Sequence, residues 1–265
     1  MSEKTPGGVQ SVERVFVLLE IITDAADGAT LSELAASTSL PLPTIHRLLR
    51  TLIALGYARQ LPNRRYVLGS RLIRIGDAAA RQFGSLAIPQ LTSLVDQLGE
   101  TANMAMLDGD MVMYVAQAPS AHSMRMFTEV GRRVHAHDSG VGKAILAQLD
   151  DSAVRRIIGR TGMPTPTDRS LGTIEALLAD LEQIRARGYA VDDNEQEIGV
   201  RCYAVLVPDA PTPTAISVSG PVSRVDESFG RRAVPVLHAA AGLISDGLSR
   251  STATDSPDSP DLSGE

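Results

Sequence analysis

Tryptophan is absent and cysteine occurs once, at Cys202, in a chain of 265 residues whose aromatic content is 3%. A single thiol excludes an internal disulfide framework and any zinc site built from several thiolates. It also leaves one sulfur for covalent chemistry. Long apolar runs are missing too: none approaches the roughly 20 residues that span a bilayer. The opening MSEKTPGG has no apolar stretch of the kind a secretory signal carries. The expected setting is the cytoplasm, with no membrane partner. At 43% hydrophobic and 21% charged residues the composition is that of a globular protein, which excludes a fibrous or wholly disordered chain. The length favours two compact domains with a tail over one large core.

One further absence is local. The net charge is −6, yet no acidic residue stands between Glu33 and Asp77, where Arg47, Arg50, Arg59, Arg64, Arg65, Arg71 and Arg74 all fall. Such an acid-free, arginine-bearing window is the electrostatic footprint of a surface for a polyanion.

Apolar residues at Val12, Val15, Leu18, Leu19 and Ile22 recur at helical spacing and predict a first helix. Thr30-Leu31-Ser32-Glu33 fits a capping box, so a short second helix runs to about Thr38. Pro43 suits the first position of a third helix, on which Ile45, Leu48, Leu49 and Leu52 form a core stripe, and Gly56 follows as its stop. Two β-prone runs at 57–61 and 66–68 flank the turn Pro62-Asn63-Arg64-Arg65. Helix-helix-helix-hairpin is the pattern of a winged helix-turn-helix, assigned to residues 10–70, with a linker helix at 71–84.

Residues 85–248 read as a second domain of α+β class with a largely antiparallel sheet. A helix over 89–98 leads to strands at 101–107 and 111–117, joined by the hairpin signal Asp108-Gly109-Asp110. Further strands are predicted at 123–129, 189–192, 201–208 and 214–219, and helices at 141–149, 151–159, 174–187 and 226–248. The stretch 249–265 is polar, proline-bearing and acidic, the composition of a disordered tail.

With its apolar stripe inward, the third helix turns Thr44, His46, Arg47, Arg50 and Thr51 outward. In a helix-turn-helix the N-terminal part of this helix enters the major groove, where arginine bonds guanine bidentately. The candidate DNA contacts are therefore Pro43, Thr44, His46, Arg47, Arg50 and Thr51. Arg64 and Arg65 at the wing tip are placed to meet phosphate or a minor groove.

At this point the chain becomes recognisable. LSELAASTSLPLPTIHRLLRTLIALGYARQ followed by RRYVLGSRLIRIG closely resembles the DNA-binding domain of the IclR family of transcriptional regulators. HAHDSGVGKAILA, GYAVDDNEQEIGVRCYAVLV and AISVSGPVSR resemble three segments of that family's effector-binding domain, in the family's order, so the likeness covers residues 10–248. It implies a DNA-binding regulator, commonly a repressor, that forms a homodimer and often a dimer of dimers. Its operator affinity would be set by a small organic acid, and no cofactor is implied. Carried over by matching position, the implied effector contacts are Met126, Gly140, Val141, Asp192, Cys202, Ser217 and Ser219. Val141 stands where smaller residues are common. Read without the family, Ser217 and Ser219 share one face of a strand, and a backbone turn before a helix, as at Gly140, suits an anion.

Rival chemistries have specific requirements. A phosphate loop at Gly142-Lys143 would need its first glycine at His137 and a hydroxyl at Ala144. A metal at His135-Ala136-His137-Asp138 would need a third good ligand. An enzyme using Cys202 as nucleophile would need a histidine within hydrogen-bond reach. A ligand sensor acting through protein partners would leave the basic window without a role.

Overall fold

The computed structural model describes residues 8–125 and 128–253. The chain divides into two compact units, parted between Ala79 and Ala80.

The first unit holds α1 (Gln10–Asp24), α2 (Leu31–Thr38), α3 (Leu42–Ala54) and the hairpin β1 (Ala58–Gln60) and β2 (Tyr66–Leu68). The capping box is present: the Thr30 hydroxyl accepts from the Glu33 N–H at 3.2 Å, and the Glu33 carboxylate accepts from the Thr30 N–H at 2.7 Å. Ser39, left-handed at φ 54°, closes α2 and turns the chain into α3. Helix α3 starts at Leu42, one residue earlier than the sequence suggested, and Pro43 lies in its first turn, where a missing N–H costs nothing. Leu18, Leu19 and Ile22 of α1, Leu34 of α2 and Ile45, Leu49 and Leu52 of α3 close the core with Ala58 and Tyr66. Val12, expected inside, is 51% exposed and shares an open face of α1 with Val9 and Phe16. Gly28 is required by contact: a Cβ there would stand 2.5 Å from the Tyr66 carbonyl oxygen, against which the α1–α2 turn lies.

Helix α4 (Arg71–Leu98) is continuous over 28 residues. The expected linker helix at 71–84 and the separate helix at 89–98 are thus one element, with Gly84 and Pro89 inside it. The breakers cost roughly 1 and 3 kcal/mol in isolation, and the burial of Ala87, Leu91 and Leu94 outweighs them.

The second unit is built on six antiparallel strands in the order β5-β4-β3-β8-β7-β6. These are β3 (Thr101–Asp108), β4 (Met111–Ala118), β5 (Arg133–Val134), β6 (Ala190–Asp193), β7 (Val200–Val207) and β8 (Thr214–Pro221). One face packs on α8 (Glu227–Ala253) and the later turns of α4, through Met104, Val115, Tyr203, Ile216 and Val218. The other packs on α5 (Gly140–Leu146), α6 (Asp151–Thr161) and α7 (Ile174–Arg187), through Ala105, Tyr114, Cys202, Ala204 and Ala215. A sheet covered on both faces is why these strands read as nearly continuous apolar runs. The strand predicted at 123–129 does not form: among the described residues of that stretch there is no strand, and β4's outer partner is instead the two-residue β5. Residues 249–253, expected to belong to the tail, continue α8 as helix; residues 254–265 lie outside the described residues.

Gly230 sets the seating of α8. A Cβ on it would stand 2.3 Å from Cζ of Tyr203, whose hydroxyl donates to the Asp226 carbonyl at 3.1 Å. Gly230→Ala is therefore expected to destabilise the protein by about 1–3 kcal/mol through overpacking. Scanning calorimetry should show a Tm lowered by several degrees; an unchanged Tm would mean that the helix shifts freely.

Candidate functional site

Two surfaces carry the predicted residues. On α3, Pro43, His46, Arg47, Arg50 and Thr51 are exposed and Thr44 is half-buried, so the six form one open face. The Thr51 hydroxyl donates to the Arg47 carbonyl at 3.1 Å. Arg64 is exposed at the tip of the hairpin, left-handed at φ 63°, with its carbonyl held by the Gln60 side-chain amide at 3.3 Å. Arg65 departs from the expectation of a free wing-tip cation. Its guanidinium donates to the Gly28 carbonyl at 2.8 and 3.0 Å and to that of Asp27 at 3.2 Å, and it pairs with Glu33 at 3.1 Å. Carbonyls at a tight turn are strong acceptors, and a neighbouring chain turn lay within reach of the fork, a proximity that sequence distance hides. Arg65 straps the hairpin to the α1–α2 turn.

In the second unit the strand register assembles the other set. Asp192 stands opposite Cys202, Cys202 opposite Ser219, and Ser219 opposite Thr101; Ala204 stands opposite Ser217, and Ser217 opposite Asn103. Cross-strand partners share a face, so Asp192, Cys202, Ser217 and Ser219 all project toward α5. Gly140 opens that helix against them: a Cβ there would meet the Cys202 sulfur at 2.9 Å. Val141 is fully buried in the same cluster. Met126 lies outside the described residues. Met104 and Met106 pack on the opposite face of the sheet as core.

The polar side chains on this face are connected. Gln117 Nε2 donates to Asn103 Oδ1 at 3.1 Å, and Asn103 Nδ2 donates to Ser219 Oγ at 3.2 Å. With its oxygen already accepting, the Ser219 hydroxyl has its proton to offer to another acceptor. Asp192 Oδ1 accepts from the N–H groups of Glu195 at 2.8 Å and Gln196 at 3.4 Å. Burial pushes the Asp192 carboxyl up to about 7 against those two hydrogen bonds. Burial also raises the Cys202 thiol to about 12 and Asp138 to about 6. Beneath lies an ionic knot: the Lys143 ammonium meets Glu195 at 2.6 Å and Asp180 at 2.9 Å with 2% of its side chain exposed.

Known proteins resemble this chain over most of its length. The family description "Bacterial transcriptional regulator IclR C-terminal" matches residues 80–246, and "IclR helix-turn-helix domain" matches residues 11–62. The chain belongs to the IclR family. The transcriptional repressor IclR of Escherichia coli K12 is 37% identical over 228 residues, 83% of each chain. The crystal structure of an IclR transcriptional regulator from Alicyclobacillus acidocaldarius superposes with a TM-score of 0.78 at 28% identity, covering 90% of this chain and 98% of that one. An IclR homologue from Microbacterium hydrocarbonoxydans, solved in complex with 4-hydroxybenzoate, has the same fold at a TM-score of 0.74 and 21% identity, covering 91% of this chain and 100% of that one.

As a member of the IclR family the chain is a DNA-binding transcriptional regulator with a ligand-binding C-terminal domain, and its relatives are regulators rather than enzymes. Cys202 is buried and its proton is held more tightly than usual, the reverse of an activated thiolate. His135 and His137 sit edge to face with centroids 5.5 Å apart, and among the described residues no three His, Cys, Asp or Glu side chains converge as metal ligands. Sequence reasoning missed Asn103, Gln117 and the Lys143 knot. Signals existed for two of them: Asn103 interrupts an apolar strand, and Lys143, one of two lysines in the chain, sits in the otherwise apolar helix GVGKAIL.

The raised carboxyls make stability pH-dependent. Asp192 and Asp138 hold a proton more tightly folded than unfolded. Their contribution is therefore full below about pH 4 and fades as the pH rises through about 6 for Asp138 and about 7 for Asp192. Urea unfolding should give a lower free energy at pH 8 than at pH 5.5. Asp192→Asn, which keeps an acceptor for the Glu195 N–H, should shrink that difference by about 2 kcal/mol. An equal difference in both proteins would mean that Asp192 is ionised when folded.

Proposed function

We propose that this regulator is a repressor whose operator affinity is set by a small organic acid held between α5 and the polar face of the sheet. The observation that carries the reading is the convergence of Gly140, Asp192, Cys202, Ser217 and Ser219, from three strands and one helix, on one buried polar surface. Asp192 and Ser219 already have partners within the protein but keep hydrogen-bonding capacity to spare, and a bound acid with a hydroxyl or oxo group would engage it. The N–H groups of Gly140 and Val141 are donors for the acid group, and Asp192, Ser217, Ser219 and the thiol face the ligand's hydroxyl or oxo end. The fold neighbour solved with 4-hydroxybenzoate supports an acid of this size.

In the same reading Pro43, Thr44, His46, Arg47, Arg50 and Thr51 face the major groove, Arg64 meets backbone phosphate, and Arg65 acts on the DNA only by holding the wing in place. The operator-bound form is a homodimer, with a dimer of dimers as its larger assembly. The open apolar face of α1, with Val12 and Phe16 51% and 59% exposed, supports such pairing.

Titrating fluorescent duplexes from the DNA flanking the protein's own gene tests the DNA half. Binding should weaken steeply with salt. Arg47→Ala should lose about 1–3 kcal/mol and base preference, whereas Arg64→Ala should weaken all duplexes alike. A duplex affinity indifferent to salt would overturn this half. For the effector half, the acid that shifts operator affinity should do so through a coupling of about 1–3 kcal/mol. Ser219→Ala and Asp192→Ala should abolish the response while leaving DNA binding intact. A response preserved in both variants moves the effector elsewhere.

A further inference from the structure

The residues that face the proposed effector bring no positive charge. Lys143 is the cation of α5, but Glu195 and Asp180 already neutralise it. An acid entering beside Asp192, Asp138 and Glu195 would give up its hydration and meet repulsion unless a further cation faced it.

A cavity of about 350 Å³ adjoins this surface, with Arg132, Arg133, His135, Asp138, Thr165 and Gln196 in its wall. Its connection to the effector face is direct. The Gln196 N–H donates to Asp192 Oδ1 at 3.4 Å, so the cavity wall and the effector carboxyl share a hydrogen bond. Asp138 immediately precedes the Ser139 cap of α5 and the Gly140 that touches Cys202. Arg132 is bound to β4 at Tyr114: the Tyr114 N–H donates to the Arg132 carbonyl at 3.1 Å, and the Gly131 N–H to the Tyr114 carbonyl at 2.7 Å. Tyr114 stands opposite Ala105 on the α5 side of the sheet, and burial raises its phenol well above the usual range.

Two features of the wall call for a polar occupant. Asp138 Oδ1 and His135 Nδ1 are buried without a hydrogen-bond partner, and Asp138 is 5% exposed. The two arginines differ. Arg133 is taken up by Asp108, at 2.9 Å to the carboxylate and 3.1 Å to the carbonyl. Arg132 is exposed, and among the described residues no carboxylate is paired with it.

Resting on the effector site proposed above, we propose that Arg132 is its specificity-determining residue, supplying through this cavity the countercharge for a singly charged carboxylate ligand. The ligand's acid group lies between Arg132 and the start of α5, and its neutral end reaches Asp192 and Ser219. A guanidinium presents paired N–H donors to a carboxylate and none of that advantage to an amide, so the site selects acids over their amides.

The test uses the full-length protein, with lactate, benzoate and 4-hydroxybenzoate as probes and their three amides as controls, read by thermal shift and calorimetry. Wild type should bind at least one acid about tenfold or more tightly than its amide. Arg132→Gln should erase that preference, and Arg132→Lys, which keeps the charge but not the paired donors, should retain only part of it, with the apo Tm unchanged in each because the side chain is exposed. If Arg132→Gln keeps the preference while Ser219→Ala loses binding, the pocket stands and Arg132 is overturned. If both variants bind as wild type does, the pocket assignment falls with it. If wild type distinguishes none of the acids from its amide, an anionic effector of this class is overturned altogether.

Discussion

A single buried ammonium holds the second unit's polar surface in place. Lys143 of α5 meets Glu195, in the turn after β6, and Asp180 of α7, so three segments distant in sequence close on one nitrogen. Removing any partner from such a knot strands a charge away from water, at a cost of about 3–5 kcal/mol. The position of α5 depends on it, and with α5 the contact of Gly140 with the Cys202 sulfur. The turn that brings Glu195 to the knot is capped by Asp192. The carboxyl facing the proposed ligand and the ion pair beneath it are therefore three residues apart on one tight turn, and neither can move alone.

The sheet explains why the surface is polar at its centre. Both faces are covered by helices, which ordinarily demands apolar side chains, yet Asn103, Ser217, Ser219 and Asp192 are buried in register on the α5 side. Asn103 bonds Ser219 and the backbone caps Asp192, which satisfies part of the demand and leaves the Ser219 proton for another acceptor. Asp192, with its carboxyl raised to about 7, stands close to the point where it changes from acceptor to donor. A surface of this kind is poorly matched to an empty core and well matched to a small polar molecule.

The first unit solves a different problem. It must keep a row of arginines facing water while its small core stays closed. A capping box fixes the start of α2, an αL serine turns the chain into α3, and the Arg65 guanidinium ties the hairpin to the α1–α2 turn. The Glu33 carboxylate serves both the cap and the strap, held below the usual carboxylate range first by the Thr30 backbone and side-chain hydrogen bonds and also by Arg65. The helix that presents Arg47 and Arg50 needs no charged partner of its own, because Ile45, Leu49 and Leu52 anchor its other side.

What the residues alone determined were features carried by near neighbours along the chain. The helical stripes, the Thr30–Glu33 cap, the acid-free window and the hairpin at Gly109 each depend on spacings of a few residues, and the family's motifs lie in order along the chain. Tertiary structure decided wherever a partner came from far away. Gly84 and Pro89 stay inside α4 because distant packing outweighs a local cost, and among the described residues of 123–129 the predicted strand does not form. Arg65 is drawn to carbonyls 37 and 38 residues away, and Lys143 to acids brought in by α7 and β6. Local propensity is an energy of tenths of a kcal/mol per residue, whereas a buried charge or a covered sheet face is worth several, so long-range burial and pairing chose the partners that spacing could not name.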